Sequence, residues 1–486
     1  MIRVLITTWP LLLGVLLLML GNGVQGTLLG IRGTLEAFST FHISLVMSAY
    51  FLGFLMGSRL APHLIHRVGH VRVFAALGSL ISAVLVVYPM LVEWQAWALM
   101  RIVIGFGFAG IYITAESWLN NAATNETRGQ TLSAYMIVQM LGIIASQVLL
   151  TWGDPLGYEL FLIPSVLVSL AFLPILLSAT QAPVFESTAR LGFRELFAIS
   201  PLGCVGMLIS GGVFSAMFGM SSVWGTMSLL SVKQIALFTS CLYIGGLVLQ
   251  YPVGWLSDRV DRRRIMLGLA LTGAFVLALA AFFPLPFWAL LFVAALVGGI
   301  TYPMYSLLIA YTNDYLSKEQ MAAASAGLIF LNGFGAIFGP LVTGWLMGEV
   351  GPRGFFLFMG LLYAIQACYA LWRMRRRATP SVTGGFVGLT PTASPVAAIS
   401  VIEAAPDIGP SPETPEAALA AAEALVIQPA PAPEAEPTAP LPEAEPTAPS
   451  AEAEPTAPPP EAGPGAPGRE PAEAPAPENR PDPENR

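Results

Sequence analysis

Charge is what this chain most conspicuously lacks. Of its 486 residues only 11% are Asp, Glu, Lys or Arg, against 55% hydrophobic; a soluble globular domain carries roughly 25% charged residues. So little charge, with a mean hydropathy of +0.68, excludes an ordinary water-exposed surface and points to a protein embedded in a lipid bilayer. Cysteine is nearly absent. Cys204, Cys241 and Cys368 each sit inside an apolar run, where an isolated thiol packs as a small hydrophobe, so neither a disulfide nor a metal centre is expected. The four histidines are His42, His63, His66 and His70. Three crowd around one loop, without cysteine partners or a zinc spacing, and read as loop surface. There is no Ser-His-Asp set and no phosphate-binding loop. No enzyme, cofactor or nucleic-acid partner is expected, and ATP hydrolysis in this chain is excluded.

Long apolar runs are abundant. A hydrocarbon core needs about 20 apolar residues per helix, and runs of that length centre on 7–31, 42–61, 73–92, 96–119, 130–152 and 158–179. A second six centre on 201–225, 232–256, 265–284, 286–312, 323–347 and 352–373. The more polar 181–200 separates them as a central linker. The fold expected is all-α: twelve spans in two six-helix bundles, 1–180 and 201–377. The first run has a basic start but a poor cleavage site in "GNGVQG", so it reads as a span and not as a leader.

Residues 378–486 differ. They hold 17 acids and 3 arginines, whereas residues 1–377 carry 20 basic and 13 acidic residues, a net of +7. "EAEPTAP" recurs at 434–440, 443–449 and 452–458. Such Pro/Ala/Glu composition buries too little to offset chain entropy, so a disordered tail is expected. Composition favours a solubilising or drifting tail over one that docks. Basic residues orient the body. With the N-terminus inside, Arg3, Arg67, Arg72, Arg128, Arg190, Arg194, Arg259, Arg262, Arg263, Arg264, Lys318, Arg373, Arg375, Arg376 and Arg377 are cytoplasmic, against Arg32, Lys233 and Arg353 outside. Both termini are therefore expected in the cytoplasm.

The chain repeats itself. "GWLSDRVDRRRIM" at 254–266 stands between spans eight and nine, and "APHLIHRVGHVRVF" at 61–74 between spans two and three. Laid together at an offset of 192, Arg67 falls on Arg259, Gly69 on Asp261 and Arg72 on Arg264. "GIYITAESW" at 110–118 and "GITYPMYSL" at 299–307 correspond at an offset near 189. Two six-span halves related as parallel repeats suggest a transporter. Gly254, Asp258, Arg259, Arg262 and Arg263 resemble the loop signature of the major facilitator superfamily. Arg101 and Gly105 resemble its fourth-helix motif, and "AESWLNNAATNETRGQTLSAYMIV" at 115–138 is similar to a bacterial subgroup, the YcaD-like transporters. The resemblance covers residues 1–377 and implies a twelve-helix secondary transporter of the bacterial inner membrane. The first copy of the loop signature departs from it, with Pro62 for the leading Gly and His66 for the Asp.

Charges inside apolar spans are expensive and functional by default. On the fourth span Arg101, Gly105, Phe108, Tyr112 and Glu116 fall within about 80° of one another, and Arg101 and Glu116 lie roughly 22 Å apart along the axis. Arg101 suits an anionic group or a fixed field. Glu116 suits a coupling proton, because a carboxylate discharges by protonation and an arginine does not. The alternative for each is a polar tie between helices. Asn22 and Gln25 sit among three glycines in span one. Tyr135 and Gln139 share a face of span five, Tyr243 and Gln250 belong to span eight, Tyr302 and Tyr305 to span ten, and Asn332 to span eleven. Jointly they suggest a cavity of aromatic and amide character. Asp258 is read as a gate, expected near Gly129, Gln130 and Thr131, or as a solvated loop charge. Monomeric alternating-access transport of a small organic molecule with proton coupling is expected, efflux being favoured over uptake of a polar metabolite. A sensor or scaffold without transport is the alternative.

Overall fold

The computed structural model describes residues 2–124, 127–176, 192–376, 386 and 388–398. The helices of the first half are α1 (Ile2–Leu35), α2 (Thr40–Val68), α3 (His70–Val87), α4 (Trp94–Ala122), α5 (Arg128–Leu150) and α6 (Glu159–Leu176). A short α7 (Phe193–Ile199) precedes α8 (Pro201–Met227), α9 (Val232–Ser257), α10 (Arg262–Phe282), α11 (Phe287–Asn313), α12 (Lys318–Val350) and α13 (Arg353–Met374). Eleven are long and apolar enough to cross a membrane, and α6 supplies a shorter apolar helix over Glu159–Pro174. The expected linker survives here only in α7, and 181–191 lie outside the described residues.

Local signals set the helix ends. Ser39 caps α2 by accepting the His42 N–H at 3.2 Å, and Ser231 with Gln234 forms a reciprocal capping box on α9. Gly69, at φ 89°, ends α2 and starts α3 in one residue. A side chain is strained at that backbone conformation, so glycine permits the tight reversal.

The halves pair their helices alike. In the first, α1 packs on α5, α2 on α4 and α3 on α6; in the second, α8 packs on α12, α9 on α11 and α10 on α13. Glycines make the matched crossings close. Gly53 lies against the Ile102 backbone and Gly105 against the Tyr50 carbonyl; Gly245 lies against the Ala295 backbone and Gly298 against the Leu242 carbonyl. Each residue of the second set stands 192 or 193 places after its counterpart. Lipid offers no hydrophobic drive to bring helices together, so close backbone approach through small residues does that work. The repeat visible in the loops is therefore built into the crossings as well.

The end of the bundle bearing the 67–72 and 259–264 loops is called the basic end here. At the opposite end the halves meet: Gly30 abuts Ser222 and Val223, and Gly344 abuts Ser44, while Thr40 reaches the Met227 sulfur at 3.8 Å. Further along, Ser48 donates to the Ile337 carbonyl and the Arg59 guanidinium lies 4.1 Å over the Phe330 ring. At the basic end the halves are separated by chain from beyond α13. Most of 378–486, where the disordered tail is expected, lies outside the described residues. Phe386 and residues 388–398 do not, and they pack between the halves.

Candidate transport path

Two polar clusters occupy the first half. Arg101 on α4 is fully buried. Its Nη1 donates to Gln25 Oε1 at 2.8 Å, its Nη2 reaches the Met47 sulfur at 3.3 Å, and its guanidinium lies 4.8 Å from the centre of the Tyr50 ring. Gln25 in turn donates to Tyr88 Oη at 3.4 Å. No carboxylate pairs with Arg101 among the described residues, and its Nε has no partner. Asn22, one turn from Gln25 on α1, donates to Tyr112 Oη at 3.4 Å, and Tyr112 donates to the Met19 sulfur at 3.4 Å. α1 and α4 thus carry a ladder of side-chain contacts from Arg101 toward Glu116.

Glu116 ends that ladder. It is 2% exposed and accepts the Tyr135 hydroxyl from α5 at 3.1 Å. Its other oxygen accepts the Ser394 backbone N–H at 3.0 Å. Glu116 has no basic partner among the described residues. A buried carboxylate held only by uncharged donors is suited to gaining and losing a proton, because nothing fixes its charge.

The second half answers with uncharged groups. Gln250 on α9 donates to Ser306 on α11 at 3.0 Å. The Tyr243 and Tyr302 rings stand 6.1 Å apart, and Phe214 on α8 meets Tyr302 edge-on, also at 6.1 Å. Tyr305 is buried, and its hydroxyl has no partner among the described residues. Asn332 on α12 donates to the Pro391 carbonyl at 3.3 Å, and Gln139 accepts the Thr390 hydroxyl at 3.4 Å. Asn22, Tyr112, Gln139, Tyr243 and Tyr302 line one cavity together with Phe214, Phe218, Thr390 and Thr392. Its volume is about 20 Å³, room for about one water molecule.

At the basic end Arg262 Nη1 reaches Asp314 Oδ1 at 2.6 Å, both side chains being buried, and its Nη2 lies 3.8 Å from Asp258. This pair ties the start of α10 to the end of α11. Arg263 pairs with Asp261 at 2.9 Å, while Asp261 caps α10. Arg259 folds back on Trp255, its guanidinium 4.1 Å from the ring centre. Arg67 is exposed beside Gly69. Asp258 accepts the Phe386 N–H at 2.9 Å, and the Phe386 ring lies on Gly254. Besides Arg262, the partner of Asp258 in this state is the tail backbone and not the start of α5. At the offset of 192, Arg262 corresponds to His70, which is also buried, and among the described residues the first half has no equivalent of the Arg262–Asp314 pair.

Sequence reading missed Tyr50, Met47 and Tyr88 around Arg101, Ser306 opposite Gln250, and above all the Leu389–Ser394 segment. Met47 and Tyr50 lie three residues apart on α2, a spacing that places them on one face. Residues 378–402 contain no charged residue, and the acids of the tail begin at Glu403. That break was readable, but an average over the whole tail hides it.

Two like six-helix halves around a polar, largely uncharged path have the architecture of a secondary transporter. The family model "Major Facilitator Superfamily" matches residues 204–421 and the model "Sugar (and other) transporter" matches 14–185. An uncharacterized MFS-type transporter YcaD of Escherichia fergusonii is 26% identical over 372 residues, covering 76% of this chain and 96% of the relative. Its namesake in Salmonella arizonae is 27% identical over 377 residues, covering 75% and 94%. Among solved structures, the nucleoside transporter NupG (D323A mutant) superposes with a TM-score of 0.66 at 16% identity, over 76% of this chain and all of that one. A bacterial homologue of the human lysosomal transporter Spinster gives 0.64 at 15% identity, over 77% and 98%. One family model matches in each half, so the chain resembles the major facilitator superfamily and shares the fold of those structures, and the matches support a secondary transporter.

Proposed function

We propose that this protein moves a small organic molecule across the bacterial inner membrane by alternating access, coupled to protons, with both termini in the cytoplasm. The observation that carries the reading is Glu116. It is buried, accepts from Tyr135 and from the Ser394 N–H, lacks a basic partner among the described residues, and lies one helical turn from Tyr112, which lines the cavity with amide and aromatic groups of both halves. A carboxylate in that position exchanges a proton when one end of the path is wet and holds it when that end closes. Arg101 keeps its charge in every state and supplies a fixed field at the other end of the ladder. The fucose:proton symporter FucP, a protein whose name states its proton coupling, is a fold neighbour at a TM-score of 0.50. Orientation rests on the basic residues of the 67–72 and 259–264 loops.

The rings of Phe214, Phe218, Tyr112, Tyr243 and Tyr302 favour an amphipathic, weakly charged cargo, and efflux is the direction proposed. A screen for compounds that raise the melting temperature of the purified protein identifies candidates. Flux of a hit into proteoliposomes is then measured with and without a pH gradient. The reading requires gradient-driven flux in the native protein and flux without pH dependence in Glu116→Gln, which mimics the protonated form. A Glu116→Gln protein with undiminished pH dependence removes Glu116 from coupling and turns attention to Asp314 and Glu36.

A further inference from the structure

The path between the halves is already filled, and what fills it is this chain. Leu389, Thr390, Ala393, Ser394, Ala397 and Ala398 are all buried, none more than 4% exposed. The segment bonds to both halves. On the first-half side, Glu116 takes the Ser394 N–H at 3.0 Å and Gln139 the Thr390 hydroxyl at 3.4 Å. On the second-half side, Ser306 takes the Leu389 N–H at 2.8 Å and returns its own proton to the Leu389 carbonyl at 3.1 Å. Asn332 binds the Pro391 carbonyl at 3.3 Å, and Asp258 takes the Phe386 N–H at 2.9 Å at the mouth. Buried backbone groups are costly unless bonded. These side chains bond them, and Pro391 and Pro395 bring no N–H that needs a partner.

The sequence is matched to that burial. Residues 378–402 carry no charge within a tail that is otherwise rich in glutamate, and a charge carried into the path would cost far more than a hydroxyl or a methyl group. Nine residues, 377–385, join Arg376 to Phe386, and a short tether holds its end at an effective concentration on the order of millimolar. The matched span takes up 96% of the Escherichia fergusonii relative but only 76% of this chain. That relative therefore has no room for a tail of this length.

We propose that the transport path is a binding site for an uncharged, proline-containing peptide, and that its ligand is the chain's own Phe386 with residues 388–398, which enter from the basic end and exclude cargo until withdrawn. Glu116, Gln139 and Asn332 hold the segment, so cargo and segment compete for the same groups. Because the bonds reach both halves, the segment also resists closure of the basic end.

Occupancy is read without any cargo. In a protein whose Cys204, Cys241 and Cys368 are replaced by alanine, Ala393→Cys should react with a maleimide at least about tenfold more slowly in the folded full chain than after denaturation. A fluorescent peptide of residues 386–398 should bind saturably to protein truncated after Arg377, and poorly to the full chain. The same peptide carrying Leu389→Asp and Ser394→Pro should bind at least about tenfold more weakly, since it buries a charge and removes the N–H that Glu116 accepts. Labelling of Ala393→Cys at the denatured rate overturns the proposal. So does a monodisperse truncated protein that binds both peptides alike. Should the truncated protein fail to fold, the labelling rate decides alone. Neither readout depends on flux, so failure of the transport reading would leave occupancy standing and be seen separately.

Discussion

Removing the Arg262 charge should unfold the basic end. The guanidinium meets Asp314 at 2.6 Å, with the two side chains 2% and 3% exposed. Arg262 opens α10 and Asp314 caps the C-terminal end of α11. An acid at that end of a helix opposes the macrodipole by about 0.3–1 kcal/mol, so Asp314 depends on its partner. Arg262→Met leaves that carboxylate buried without its ion pair, a change that costs about 3–5 kcal/mol. Asp314→Asn should cost less, because the amide still accepts a hydrogen bond and no longer opposes the dipole. Replacing both residues, Arg262→Met with Asp314→Leu, should recover most of the loss, because apolar residues of like volume often equal a buried pair. Reversible denaturation of the purified protein in mixed micelles, followed by tryptophan fluorescence, measures all the variants. A coupling energy of about 2 kcal/mol or more, little changed by salt, is expected. Additive single and double losses, or an Arg262→Met midpoint equal to that of the native protein, would refute the role given to the pair.

Three further outcomes are expected. Gly245→Val drives a side chain into the Ala295 backbone at the α9–α11 crossing and should destabilise the second half by about 1–3 kcal/mol, with Gly53→Val doing the same at the matched crossing of the first half; denaturation midpoints report both. Arg101→Lys keeps the charge but loses the planar fork that reaches both Gln25 and Met47, so flux should be partial, whereas Arg101→Ala should abolish it in proteoliposomes at equal reconstitution. Asp258→Asn weakens the acceptor for the Phe386 N–H and should raise maleimide labelling of a cysteine at position 393; labelling unchanged from the parent would reduce Asp258 to a loop charge.

The membrane body was legible because its physics is one-dimensional: a bilayer demands runs of about 20 apolar residues, and twelve such runs stand in the sequence. The paired loops at 61–74 and 254–266 announced two halves for a similar reason, since polar knots stand out between apolar runs. The crossings were not legible. Gly53 and Gly245 stand among other glycines in apolar helices, and only packing shows which carbonyl each one meets. Within the path, the helical period of α4 was enough to place Arg101, Tyr112 and Glu116 on one face. It says nothing of Tyr50 and Tyr88, which come from other helices. Asp258 shows a different limit. Pseudo-symmetry directs it to the start of α5, but besides Arg262 it meets the backbone of a tail with no counterpart in the repeat. The uncharged stretch 378–402 held that information and was diluted by the acids after Glu403.

Alternating access is tested most directly by the distance between the two halves at the end where they meet. Phe41 at the start of α2 and Leu229 just beyond α8 are both exposed there, and spin labels at these two positions report the separation by pulsed electron resonance. In lipid, with the chain truncated after Arg377, two distance populations should coexist, a short one matching the closed arrangement described above and a longer one from the reversed state. A single short distance in the truncated protein, at every pH and with every stabilising compound, would contradict transport by exchange between two open ends.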